Sequence, residues 1–92
     1  MPKVTDNPQR GRYEIFTDDG ELAGFSTYAL KQGVITFLHT EVDPAFEGQG
    51  LGGKLVRGEL EDARARGFKV VPRCPFVKAY LAKHPEFEDI RA

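Results

Sequence analysis

The first half of the chain contains three runs rich in β-branched, aromatic and alternating apolar residues. They cover Arg12–Thr17, Glu21–Leu30 and Val34–Val42, and this composition is typical of β-strands. The segments between them, Asp18–Gly20 and Lys31–Gly33, are turn sequences, because Gly and Asp tolerate a positive φ. Connections this short join antiparallel neighbours, so the pattern predicts a three-stranded antiparallel meander.

Strict alternation along the third predicted strand divides its side chains between two faces. One face is predicted to carry Ile35, Phe37, His39 and Glu41, and the other Val34, Thr36, Leu38, Thr40 and Val42. On this reading His39 and Glu41 lie about 7 Å apart on one face, directly beyond two apolar residues.

The second half of the chain has helical periodicity with one short strand inside it. The glycine-rich stretch Glu47–Gly53 opens a predicted helix that ends at Arg66, before a Gly67 cap. A short buried strand, Phe68–Val71, follows, and a second helix is predicted over Pro75–Lys83. The apolar stripe of the first helix consists of Leu55, Val56, Leu60 and Ala63, with Glu59 inside it. The order β-β-β-α-β-α predicts an α/β (α+β) fold in which the last strand lies parallel to the third.

Size and charge restrict the function classes. The 92 residues suffice for a single domain, 1–92, in which the polar segment 1–11 is a leader or a loosely attached edge. The net charge of −1 argues against binding to nucleic acid or to a membrane through bulk charge. No apolar run approaches the length of a membrane span, and no signal peptide is recognisable. One cysteine and two histidines exclude a disulfide and a cysteine-based zinc site, so no metal is predicted and a reducing cytoplasm is expected.

The stretch Glu47–Lys54 carries the clearest chemical signal. Four glycines between Gly48 and Gly53 let the backbone approach a ligand and let successive N–H groups point the same way at a helix start. Such an arrangement binds phosphate or pyrophosphate. A flexible surface loop is the plainer interpretation, but the position between a strand and a helix favours the anion site.

Two common phosphate-binding motifs fit this stretch poorly. The G-x-G-x-x-G dinucleotide fingerprint is matched literally, but it follows an antiparallel meander, and Arg73 stands where an acidic residue would hold the ribose. The P-loop pattern fails at Leu55, which replaces the Ser or Thr that binds Mg²⁺.

A third pattern matches better. The stretch resembles the acetyl-CoA pyrophosphate loop of the GCN5-related N-acetyltransferase (GNAT) superfamily, usually written Q/R-x-x-G-x-G/A. Gly50 and Gly52 match its two small positions, and Glu47 stands where the family has Gln or Arg.

The resemblance extends over most of the chain. Segments His39–Val42, Cys74–Val77 and Tyr80–Phe87 are similar to a small single-domain branch of this superfamily, and the likeness covers roughly residues 12–90. It implies a minimal GNAT-like fold, with acetyl-CoA lying in a splay between the strands Val34–Val42 and Phe68–Val71. Relatives carry an extra N-terminal strand and helices that help wall the acceptor site, which residues 1–11 are expected to be too short to supply.

The resemblance also implies which residues hold the cofactor. The residues implied as cofactor-binding are Thr40, Val42, Gly48, Gln49, Gly50, Leu51, Gly52, Gly53 and Lys54. The backbone near Thr40–Val42 would hold the thioester, and the glycine turn would hold the pyrophosphate.

Three side chains are candidates for catalysis. An amine must lose a proton before it attacks the thioester, so His39 and Glu41 are candidate bases. Cys74 lies where the second helix begins, beside Arg73, a setting that favours a thiolate. It is a candidate nucleophile or acid, or else an inert buried thiol.

Three functions stay open on this reading. The first is an acetyl-CoA-dependent N-acetyltransferase that acts on an unidentified amine, by direct attack or through Cys74. The second is a CoA-binding module without catalysis. The third is a domain that binds another nucleotide or a protein. The sequence determines neither the acceptor nor the oligomeric state.

Overall fold

The computed structural model describes residues 1–92, and its centre is one five-stranded sheet in the order β1-β2-β3-β4-β5. The strands are β1 (Lys3–Asn7), β2 (Arg12–Phe16), β3 (Leu22–Lys31), β4 (Val34–Val42) and β5 (Lys69–Pro72). The first four pair antiparallel, and β5 pairs parallel to β4. The predicted meander and the parallel final strand are therefore confirmed.

Two α-helices and two short 3-10 segments complete the chain. They are α1 (Leu51–Ala65), α2 (Pro75–Lys83) and the 3-10 turns Pro44–Phe46 and Pro85–Ile90. Both helices pack on the same face of the sheet, where a single cluster of 16 buried residues forms the core. No helix has the length and apolar composition needed to cross a bilayer.

The predicted stripe of α1 is the centre of this core. Leu55, Val56, Leu60 and Ala63 are all fully buried, as the 3.6-residue spacing requires. Helix α2 adds Val77 from its own inner face. Because these side chains leave water, the stripe attaches both helices to the sheet.

The edge strand β1 differs from the sequence prediction. The segment 1–11 was expected to be a leader or a loose edge without a strand, but five of its residues pair with β2. Two tertiary contacts hold it in place. The Asp6 carboxylate accepts hydrogen bonds from the Tyr28 hydroxyl (2.6 Å) and the Arg66 guanidinium (2.8 Å), and Val4 packs against Gly58 of α1. The expectation that this segment supplies no strand is therefore wrong.

Candidate functional site

The free part of one edge of β4 is the main opening in the sheet. Strand β5 pairs only with Val34–Phe37, and the chain then turns away, because the N–H groups of Arg73 and Cys74 both donate to the Phe37 carbonyl (3.0 and 2.9 Å). The remainder of β4, Leu38–Val42, has β3 on one side and no strand on the other. This is the splay between the two parallel strands that the family resemblance implied.

A β-bulge at Leu38 changes the direction of the side chains along this edge. Tyr28 pairs with Phe37 and Thr27 pairs with His39, so Leu38 is an extra residue without a partner on β3. The extra residue reverses the alternation for the rest of the strand.

The bulge makes the predicted division of β4 between two faces wrong. Ile35 and Phe37 face the helices, but so do Thr40 and Val42, whereas His39 and Glu41 lie on the uncovered face. His39 and Glu41 do share a face, as predicted, and their Nε2 and Oε1 atoms are 3.2 Å apart. Both are well exposed, with about 60% of each side chain accessible, and the sheet separates them from Cys74.

Cys74 lies beside the free edge of β4, at the N-cap of α2. The residue is 2% exposed, and its thiol donates to the Thr40 hydroxyl across a distance of 3.3 Å. The structure thus brings Cys74 and Thr40 together at the splay. The predicted position of Cys74 at a helix start is confirmed.

The glycine turn provides free backbone donors at the far end of the same edge. Gly48 and Gly50 have φ values of +83° and +71°, which glycine adopts without strain. Gly50 is the N-cap of α1, and no side chain caps this helix end. The first backbone hydrogen bond of α1 is the one that the Lys54 N–H donates to the Gly50 carbonyl (3.2 Å). The N–H groups of Leu51, Gly52 and Gly53 precede it and have no acceptor within the protein. Three N–H groups and the positive end of the helix dipole therefore face outward together.

A shallow cavity of about 260 Å³ lies between this turn and the end of β4. It is lined by the glycines of the turn together with Val42, Glu47, Leu51 and two aromatic rings, Phe46 and Phe76. Gly52 makes room for the second ring, because a Cβ atom on Gly52 would lie 2.8 Å from Phe76 Cζ. The glycine turn and an apolar wall thus form a single surface.

The remaining predicted cofactor residues have different surroundings. Leu51 is buried in the core, so only its backbone is available to a ligand. Gln49 lines a separate hollow beside Asp18 and Asp19. The exposed side chain of Lys54 lies on the first turn of α1.

Four further residues of this region are not predicted as site residues from the sequence. Phe46 and Phe76 line the cavity, while Ser26 and Glu59 lie behind it and connect to Thr40. Phe76 carries no signal of this role, because in the sequence it resembles its apolar neighbour Val77, and the structure alone shows that it is 46% exposed. Glu59 does carry a signal, because an acidic residue interrupts the apolar stripe of α1 and such a residue is almost never fully buried unless it is paired.

The buried carboxyl group of Glu59 and the exposed start of α1 differ in their electrostatic surroundings. Glu59 is fully buried, and its burial raises the pKa of the carboxyl well above the ordinary range. The first turn of α1 presents outward N–H donors and contains no acidic residue, and the acidic residue that lines the cavity is Glu47, which precedes the helix. The surface is therefore suited to an elongated ligand with an anionic group at the glycine turn and an uncharged arm along β4.

Comparison with known proteins supports this description. The family model described as GCN5-related N-acetyl-transferase matches residues 12–90. A comparison with curated proteins gave no match.

Among solved structures, a GCN5-like protein from Staphylococcus aureus is similar over 98% of this chain and 87% of its own, with 26% identity and a TM-score of 0.72. A GNAT-family N-acetyltransferase from Escherichia coli, solved in complex with CoA, is 22% identical with a TM-score of 0.57. The ribosomal-protein-S18-alanine N-acetyltransferase from Escherichia coli is 24% identical with a TM-score of 0.60. Each of the two Escherichia coli matches covers 66% of this chain, which spans only 38% and 39% of their own lengths. At these identities they show the shared fold alone.

Proposed function

Because this chain belongs to the GCN5-related N-acetyltransferase family, we propose that it binds acetyl-CoA and transfers the acetyl group to an amine. One observation carries the proposal. The free edge of β4 leads from the Cys74 thiol to three outward N–H groups at the start of α1. This arrangement suits a cofactor with a pyrophosphate at one end of a long arm and a thioester at the other.

Each part of the proposed site has a separate role. The N–H groups of residues 51–53 bind the pyrophosphate, and Phe46 and Phe76 cover the apolar arm. The backbone of Thr40–Val42 is free on the side of the splay and holds the thioester segment. These roles place the reacting carbonyl near Cys74.

Two routes for the acetyl group follow from this geometry. In the direct route, the amine nitrogen loses a proton to the base and attacks the carbonyl carbon, the C–S bond breaks, and CoA leaves as a thiolate that takes up the proton returned by the base. In the second route, the Cys74 thiolate attacks the carbonyl carbon, the C–S bond to CoA breaks, and CoA leaves as a thiolate from acetyl-Cys74. The amine nitrogen then attacks this second thioester, and the Cys74 thiolate leaves and takes up the proton lost by the amine. His39 and Glu41 are proposed as the base on the uncovered face, from which an acceptor has free access.

A thermal-shift titration with acetyl-CoA, CoA, ATP and NAD tests the binding. A ligand present at 100 times its Kd stabilises the native state by about 2.7 kcal/mol. For a chain of this size that is a rise in Tm on the order of 10 °C. We expect this rise with the two CoA species only. A larger rise with ATP or NAD contradicts the proposal.

A pair of glycine variants tests where the cofactor binds. Gly50→Asp puts a carboxylate against the pyrophosphate, so the ligand-induced rise in Tm should disappear. Gly33→Asp is the matched control, because Gly33 also has a positive φ (+80°) and open surroundings but lies in the β3–β4 turn at the other end of β4. Both variants lose stability from backbone strain. Only Gly33→Asp should keep the ligand-induced rise.

Transfer itself is tested by incubation with labelled acetyl-CoA and a panel of amines. Cys74→Ala should greatly reduce thiol release while leaving CoA affinity nearly intact. Label on Cys74 in the wild type identifies the two-step route. Full turnover by Cys74→Ala rules out a catalytic thiol, and absence of turnover with every amine, despite CoA binding, favours a CoA-binding module.

A further inference from the structure

Four polar side chains form a chain of hydrogen bonds from Cys74 into the core. The Cys74 thiol donates to the Thr40 hydroxyl (3.3 Å), and the hydroxyls of Thr40 and Ser26 are 3.2 Å apart. The Ser26 hydroxyl in turn donates to Oε2 of Glu59 (3.2 Å). The chain crosses β4 and β3 and ends in the apolar stripe of α1. It has no branch to solvent beyond the site itself, because Ser26 and Glu59 are both fully buried.

Glu59 has no partner for a negative charge. Its Oε1 atom makes no hydrogen bond, and no basic side chain reaches its Oε2. An isolated buried carboxylate is far costlier than a buried carboxylic acid, so burial without a counter-charge favours the protonated form of Glu59. The raised pKa of Glu59 has burial as its largest cause and agrees with this state.

The other elements packed around Glu59 do not alter this conclusion. Strands β3 and β4 contribute the hydroxyls of Ser26 and Thr40, and the start of α2 contributes the Cys74 thiol. Strand β2 places the Tyr13 hydroxyl one turn further along α1, where it donates to Asp62 (2.6 Å). The hydrogen-bond chain therefore connects Glu59 to one titratable group, Cys74.

We propose that protonated Glu59 is a positioning residue, the first donor of a hydrogen-bond chain that ends on Cys74 and stabilises its thiolate. This inference rests on the proposed chemistry at Cys74. When the thiol loses its proton to solvent, the sulfur changes from donor to acceptor. The Glu59 acid then donates to Ser26, Ser26 donates to Thr40, and Thr40 donates to the sulfur. Each hydroxyl keeps one donated and one accepted bond.

An ionised Glu59 would have the opposite effect. A carboxylate accepts only, so Ser26 would donate to it and the chain would point away from Cys74. The charge would also repel the thiolate. The proposal and its opposite therefore predict shifts of the Cys74 titration midpoint of opposite sign when Glu59 is replaced by a residue that cannot donate a hydrogen bond.

Three variants and one measurement test the proposal. Glu59→Gln keeps an N–H donor without a charge, Glu59→Met removes the donor at similar size, and Ser26→Ala breaks the chain but keeps Glu59. The readout is the pH titration of the Cys74 Cβ chemical shift, which is unambiguous because the chain has one cysteine. A hydrogen bond to a charged group is strong enough for a shift of about one pH unit, a tenfold change in thiolate at a given pH.

We expect the titration midpoint to rise by about one unit in Glu59→Met and Ser26→Ala and to stay within a few tenths in Glu59→Gln. A lower midpoint in both Glu59 variants shows a repelling carboxylate and overturns the proposal. Unchanged midpoints in Glu59→Met and Ser26→Ala overturn it as well. So does a wild-type Glu59 Cδ shift that shows ionisation at pH 7.

Two controls keep the result decisive. The backbone amide spectrum shows whether each variant is folded, and if Glu59→Met is not, Ser26→Ala and Glu59→Gln still give the predicted contrast. The titration needs no acetyl-CoA. A protein that fails to transfer acetyl groups, but whose midpoints shift as expected, contradicts the proposed function and not the hydrogen-bond chain from Glu59 to Cys74.

Discussion

One extra residue, Leu38, determines which side chains of β4 face Cys74. Without the bulge at this position, strict alternation would put His39 beneath α1 and Thr40 on the uncovered face. With it, Thr40 reaches the thiol, and His39 contacts Glu41 in the open. A single insertion thus separates the proposed acyl site from the proposed base.

A second single residue, Phe76, leads to a testable prediction. The ring lines the cavity and is 46% exposed, so it has more to contribute to ligand binding than to folding. We expect Phe76→Ala to raise the Kd for CoA about tenfold, or 1.4 kcal/mol, and to change the free energy of unfolding by less than about 0.5 kcal/mol.

Calorimetric titration with CoA and urea unfolding measure these two quantities. Leu30→Ala is the control, because Leu30 is similarly exposed (42%) but lies at the other end of the sheet. An unchanged Kd in Phe76→Ala would show that the ring does not contact the cofactor.

At the scale of elements, α1 contains more glycine than a helix of 15 residues favours. Each interior glycine costs up to about 1 kcal/mol relative to alanine. Helix α1 contains three glycines, and packing explains two of them. The absence of a Cβ atom at Gly52 leaves room for the Phe76 ring, and its absence at Gly58 leaves room for Val4 of β1. Gly53 faces open space, where a Cβ atom would contact nothing within 4 Å.

These surroundings predict opposite effects for the same substitution. Gly53→Ala should stabilise the free protein by about 0.5–1 kcal/mol through helix propensity alone. Gly58→Ala should destabilise it by about 1–2 kcal/mol, because the new Cβ would lie 2.8 Å from Val4 Cβ and overpacking outweighs propensity.

Chemical denaturation of Gly53→Ala, Gly58→Ala, Val4→Ala and the double variant Val4→Ala/Gly58→Ala measures these effects. The double variant should be more stable than the sum of its single changes predicts, because the smaller side chain at position 4 gives room to the new methyl group. Strict additivity would show that β1 is not held by this contact.

The elements that the sequence predicted are those with a local signal. Strands β2–β5 and both α-helices appear within one or two residues of their predicted limits, because turn residues and apolar periodicity define them. Strand β1 has no such signal, since its sequence Lys-Val-Thr-Asp-Asn is polar and only pairing with β2 and the contact with Gly58 make it a strand. The bulge at Leu38 also depends on pairing, which the alternation of a single strand cannot reveal.

The candidate site likewise has some features that the sequence predicts and others that only the structure shows. The glycine turn and Cys74 are evident in the sequence because their chemistry belongs to short local patterns. The cavity wall at Phe76 and the link from Glu59 to Cys74 depend on side chains brought together from separate elements. For Glu59 the sequence showed the anomaly, an acid within an apolar stripe, but not the neighbours that explain it.

At the scale of the whole molecule, one sheet separates a packed side from an open side. Both helices and the entire core lie on one face, and the other presents Phe25 and the His39–Glu41 pair to solvent. If acetyl-CoA occupies the free edge of β4, its thioester is accessible from the open side. The proposed site therefore joins a well-defined cofactor surface to an acceptor surface with few walls.

The buried Glu59 also links the stability of the whole fold to pH. Its pKa in the folded protein lies well above its value of about 4.3 in an unfolded chain. Between these two values the folded state binds more protons than the unfolded state, so this group makes the free energy of unfolding fall as the pH rises. Below the unfolded value both states are protonated, and the stability associated with the protonated group is fully present.

Glu59→Gln removes this titration from the folded protein, and the expected result has a definite sign. The free energy of unfolding of Glu59→Gln minus that of the wild type should be constant below about pH 4 and should rise from there towards neutral pH, by at most about 1.4 kcal/mol per pH unit. Urea unfolding at a series of pH values measures this difference. Glu88→Gln, which removes an exposed carboxylate, is the control for the change in net charge and should give a nearly flat difference. A flat profile for Glu59→Gln would show that Glu59 ionises as readily in the folded protein as in the unfolded chain, and a falling profile would show that the core stabilises its carboxylate.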